Sequence, residues 1–193
     1  MPVGGDRTVT QTPAPSRPAP AAADAPPDAD DVEEPESGGA GAWFLLALGV
    51  IGLGVSAYLT TLHYAGVAAI CPGAGGVVNC QAVLSSTYSS VPGTSVPVTV
   101  PGMLWFIVSG SLAAASLLAA RRGVAEPTWL RPVHLGWTVV GLLAVLYFVF
   151  CEVVELHEIC VWCTSVHVMV FLSLLVAVAR LQVGRVPTAD ETE

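Results

Sequence analysis

From Ser37 to Ala120 the chain runs for 84 residues without one Asp, Glu, Lys or Arg. A water-soluble fold of that length would lack the charges that keep it from associating. Such a stretch needs an apolar solvent. The whole chain has the same bias: 53% of its 193 residues are hydrophobic and 11% are charged, against roughly a quarter in soluble domains. Seven Arg and no Lys face fifteen acids, and this excludes a basic nucleic-acid-binding face.

Four stretches are long enough to cross about 30 Å of hydrocarbon: Ala42–Leu62, Gly102–Ala120, Val133–Cys151 and Ile159–Ala179. The expected fold is an all-α integral membrane protein, a bundle of four transmembrane helices. Residues 1–41 hold eight acids and eight prolines with few large apolar side chains; this composition predicts a disordered acidic tail. Residues 42–180 form the membrane domain, and 181–193 a second short tail. No apolar run near the start marks a signal peptide.

Arg121, Arg122 and Arg131 lie between the second and third spans, and Arg180 and Arg185 follow the fourth. The links 63–101 and 152–158 contain no Arg. Basic short loops stay in the cytoplasm, so both termini are expected there, with the Arg-free links on the outer face of a plasma (inner) membrane. Link 63–101 is uncharged and punctuated by Pro72–Gly73 and Pro92–Gly93. Its composition suits a lid across the bundle mouth, with Ala82–Ser86 expected as a short helix.

Cys71 and Cys80 fall in that lid, and Cys160 and Cys163 fall at the mouth of the fourth span. Outside the cytoplasm paired cysteines persist as disulfides. Cys160-Val-Trp-Cys163 at a helix start puts thiols where free N–H groups and the macrodipole stabilise a thiolate. That spacing suits a bond that opens and closes. Two permanent staples, a four-cysteine zinc site and a thiol–disulfide relay are all compatible with these pairs. The eight residues between Cys71 and Cys80 are not a zinc-knuckle spacing, and no metal is expected. Cys151 reads as a small packing residue. A relay in a bilayer needs a two-electron acceptor, and a quinone supplies it. His63 and His167 are a poor haem pair, because His167 lies about 12 Å deeper than a surface His63. His167 is either a core histidine or a polar contact for a quinone head group. Ser85 and Ser86 are lid hydroxyls.

Ser56-Ala-Tyr-Leu-Thr60 with His63 and Tyr64, Cys71, and Cys80 with Val83, Leu84 and Ser86 all resemble bacterial members of the vitamin K epoxide reductase family. So do Val100-Pro-Gly102, Tyr147, Glu152 and Ile159-Cys-Val-Trp-Cys163. The resemblance spans about residues 43–180. It implies a four-helix bundle around a quinone, menaquinone being the expected acceptor. It implies that Cys71 exchanges disulfides with an extracytoplasmic, thioredoxin-fold (DsbA-like) protein and that Cys80 exchanges with Cys160. Cys163 then delivers electrons to the quinone, and Ser86 bonds a quinone oxygen. Two departures point away from epoxide reduction: Val96–Thr99 contains no Asn, and His167 stands where animal enzymes have Tyr. Many bacterial relatives carry a fused thioredoxin domain. The expectation for this chain is a separate partner protein. The alternatives are a quinone-epoxide reductase and a disulfide-stapled membrane scaffold without catalysis.

Overall fold

A computed structural model describes residues 37–183; most of the expected tail 1–41 and of the second tail lies outside them. Four long helices cross from end to end: α1 (Ser37–Ala65), α3 (Thr99–Arg121), α4 (Leu130–Phe150) and α5 (Val161–Val183). A short α2 (Cys80–Leu84) and a 3-10 turn (Thr87–Ser89) lie in the lid. Each long helix is apolar on all sides, and each is long enough to span a membrane. In hydrocarbon a helix satisfies its backbone groups internally, so Leu-, Val- and Ala-rich runs have few alternatives. Among the described residues there is no strand, only isolated bridges.

The helices extend a few residues beyond the expected spans. The larger difference is at the end of the third span, where the link 152–158 was expected. The helix passes through Cys151 and continues as a π-helical turn, Cys151–Leu156. A charge at Glu152 suggested a boundary, but its side chain is 5% exposed and belongs to the interior. His157, at φ 54°, closes the turn, and the Glu158 N–H reaches back to the Glu152 carbonyl at 3.0 Å. The fourth membrane-crossing helix therefore starts at Val161, with Cys160 just ahead of it.

Helix contacts rest on small residues, the usual means of close approach in a membrane bundle. A Cβ on Gly52 would overlap the Phe106 ring, and one on Gly141 would fall 2.6 Å from the Trp105 indole. Trp105 and Trp137 clasp α3 to α4: each indole N–H donates to the other's backbone carbonyl, at 3.2 and 3.1 Å.

The two ends of the bundle differ in chemistry. At one end Glu126 binds Arg131 at 2.6 Å and Arg180 at 3.0 Å, and Ser116 donates to the same carboxylate. Arg131 also donates to the Arg180 carbonyl, joining the α3–α4 link, α4 and α5. Arg121 lies over the Trp43 ring at this end. The lid and the four paired-motif cysteines occupy the opposite end.

The lid is pinned by its backbone. Ile159 N–H donates to Val77 O at 2.7 Å, and Asn79 N–H donates to Ile159 O at 3.0 Å. Asn79 then caps α2 through its side chain, which accepts from the Ala82 N–H. That cap starts the lid helix at Cys80, two residues earlier than the expected Ala82–Ser86, because an Asn oxygen at this position satisfies an otherwise free helical N–H.

Candidate active site

Pairing to Ile159 sets Cys80 against the redox motif. Cys80 and Cys160 pack with Val83 in one buried cluster, and Cys71 and Cys163 border it. Cys71 and Cys80 are joined as a disulfide with Cα atoms 5.7 Å apart. Cys160 and Cys163 are free thiols. Cys71 is partly exposed, while Cys80 and Cys160 are closed to solvent. The four sulfurs thus run from a solvent-accessible residue, through two buried ones, to Cys163.

Cys160 occupies an N-cap position. Its carbonyl accepts from Thr164 N–H at 2.8 Å, and its sulfur accepts from Cys163 N–H at 3.4 Å. The Cys163 side chain beside it holds the Cys160 thiol below its ordinary range. Burial opposes this, and the backbone N–H groups of Cys163 and Trp162 reinforce it. A thiol at a helix start has its thiolate form favoured by the free N–H groups and the macrodipole.

Cys163 opens onto a cavity of about 700 Å³ between the lid and the helices. Ser86, His63 and His167 border the same space, as do Trp105 and Phe106 at its floor and Glu152 beside Cys163. Cys71, Cys80 and Cys160 do not line it. A largely apolar cavity with a few polar groups and one thiol fits a flat apolar ring bearing polar oxygens. Ser86 lies just past α2, and its hydroxyl donates to Val83 O at 2.8 Å. Ser86 lines the cavity, and donation to a ligand there requires that bond to turn. Ser85 donates to Gln81 O and also borders the cavity. Cys151 is buried and borders it from α4. Among the described residues no three His, Cys, Asp or Glu side chains cluster as a metal site.

Sequence reasoning missed three contacts here. Glu152 Oε2 accepts from Cys160 N–H at 3.4 Å. Trp162, between the motif cysteines, donates from its indole to Ile70 O at 2.8 Å and lies against Tyr58. Asn79 both pairs with Ile159 and caps α2. Only Glu152 carried a signal in the sequence, as an acid at the edge of an uncharged span.

The model of a family described as the vitamin K epoxide reductase family matches residues 43–178. No curated protein sequence matches the chain.

Proposed function

The chain belongs to the vitamin K epoxide reductase family, and on that footing we propose that it is a membrane thiol:quinone oxidoreductase that oxidises an extracytoplasmic thioredoxin-fold protein. Family membership supports oxidoreductase activity linked to quinones. One observation supports the finer reading: the lid disulfide and the free Cys160 share a buried cluster, and Cys163 alone among the four borders the cavity.

Electrons would enter at Cys71. A partner thiolate attacks its sulfur, the Cys71–Cys80 bond breaks, and the partner's second thiol releases the mixed disulfide. Cys80 then attacks Cys160 in the oxidised Cys160–Cys163 pair and frees Cys163, whose sulfur takes up a proton given up by the donor dithiol. Cys71 closes back onto Cys80, leaving the motif as a dithiol. That dithiol loses two electrons and two protons to the quinone, giving a hydroquinone and restoring the Cys160–Cys163 bond. Menaquinone is the proposed acceptor, held at its oxygens by Ser86 and His167. The Arg-rich end would face the cytoplasm and the cysteine end the outside of a plasma membrane, as short basic loops dictate.

The test is quinone reduction by the protein in lipid nanodiscs, with a reduced thioredoxin-fold protein or dithiothreitol as donor. Cys163→Ala should abolish reduction with either donor. Cys71→Ala should abolish it with the protein donor and retain it with dithiothreitol. Quinone turnover by Cys163→Ala would end this reading. Consumption of a quinone epoxide in place of the quinone would assign the epoxide-reductase alternative.

A further inference from the structure

Thiol oxidation by a quinone moves two protons as well as two electrons, and the cysteines and quinone do not by themselves say which group carries them. The π-helical turn Cys151–Leu156 places one carboxyl at that point. Glu152 is 5% exposed, and its Oε2 accepts from the backbone N–H of Cys160, the other cysteine of the motif, at 3.4 Å. It also borders the cavity that Cys163 opens onto. Among the described residues the titratable groups facing it are the thiols of Cys160 and Cys163, with no cation among them. Glu126, a partly buried acid, is neutralised by two arginines at the far end of the bundle. Among the described residues Glu152 has no such partner. An ionisable side chain kept inside a membrane bundle without a counter-charge marks a functional position, and π turns concentrate at such positions.

We propose that Glu152 is the proton acceptor for the Cys163 thiol and returns that proton to the reduced quinone. The inference rests on the thiol:quinone reading above. In the step, the Cys163 S–H bond breaks and an O–H bond forms on the Glu152 carboxylate. Two electrons leave the dithiol for the quinone as the Cys160–Cys163 bond forms. One quinone oxygen takes the proton held on Glu152, and the other takes the proton of the Cys160 thiol. The products are a disulfide, a hydroquinone and the carboxylate restored. The backbone hydrogen bond from Cys160 holds the carboxyl beside the pair through the exchange.

The experiment mixes fully reduced protein in nanodiscs with a short-tailed naphthoquinone in a single turnover, following naphthoquinone absorbance across pH. A positioned acid–base group contributes about 10²-fold or more. Glu152→Gln should therefore slow the reduction step about a hundredfold at saturating quinone, leave the half-saturating quinone concentration unchanged, and flatten the rise of rate with pH. Glu152→Asp, which keeps a carboxyl, should recover at least a tenth of the wild-type rate and keep the pH limb. A Glu152→Gln rate within threefold of wild type overturns the proposal, as does an equal loss in both variants. If Glu152→Gln does not accumulate in membranes, Glu152→Asp decides: its pH limb must persist and shift, and an unshifted wild-type profile overturns the proposal. A wild-type protein that forms no hydroquinone would instead bring down the thiol:quinone reading, a result distinct from a fast Glu152→Gln.

Discussion

Cys160 and Cys163 are chemically alike in isolation, and their different surroundings divide their tasks. Cys160 caps a helix, its sulfur accepts from the Cys163 backbone N–H, and the Cys163 side chain beside it holds its thiol below the ordinary range. The thiolate fraction of Cys160 at a given pH rises as that value falls, so the ultraviolet thiolate absorbance of the reduced motif should rise through a midpoint below that of a free thiol. Cys163→Ala removes the largest cause of the shift and should move the midpoint up. Thiolate absorbance over a pH series, with Cys160→Ala as the blank, measures it, and a midpoint unmoved by the substitution would assign the shift to the helix start alone. Glu152 illustrates a different point at this scale. Its sequence signal, one acid after an apolar run, is the same whether the residue ends a helix at the water or turns into the core.

Among the elements, the cavity floor depends on what α4 does not carry. The Trp105 indole lies where a Cβ on Gly141 would be. Gly141→Ala should displace the indole, strain its bond to Trp137 O, and destabilise the protein by about 1–3 kcal/mol, as overpacking does. Because Trp105 borders the cavity, the same substitution should raise the half-saturating quinone concentration. Thermal unfolding in detergent and quinone titration check the two parts. At the far end, burial pushes the Glu126 carboxyl up. The Ser116 hydroxyl, the Arg131 hydrogen bond and the two arginine charges pull it down further, leaving it below its ordinary value. A carboxyl depressed in the folded state stabilises above the unfolded value of about 4.3 and loses that contribution as pH falls through the folded value. Wild-type stability should therefore fall on acidification below about pH 4.3, and this limb should be weaker in Glu126→Gln. Arg180→Met leaves Glu126 without its buried partner and should cost about 3 kcal/mol at pH 7. An unchanged unfolding temperature in that variant would show that Arg131 alone satisfies the carboxylate.

For the molecule as a whole, the arginines gather at one end and the lid cysteines at the other. This predicts a single insertion. A cysteine introduced at Ser90 should react with an impermeant maleimide in intact cells, and cysteines at Arg122 or Thr192 should react only after the membrane is opened. Labelling of the Arg122 position from outside would put the lid disulfide in a reducing compartment and remove the basis for the oxidase reading.

The amino-acid sequence alone determined that the chain is a four-helix membrane bundle, because hydropathy adds up locally and a span needs only its own residues to be apolar. It likewise showed two cysteine pairs, since C-x-x-C and the lid cysteines are visible as spacing. Tertiary structure decided what each group faces. The Val77–Asn79 backbone joins Ile159 across some eighty positions, and that pairing puts Cys80 rather than Cys71 beside Cys160. A π turn, not a loop, follows Cys151 and directs Glu152 into the bundle. Both outcomes depend on hydrogen bonds that close only when distant segments meet, and no property of the individual residues carries that information.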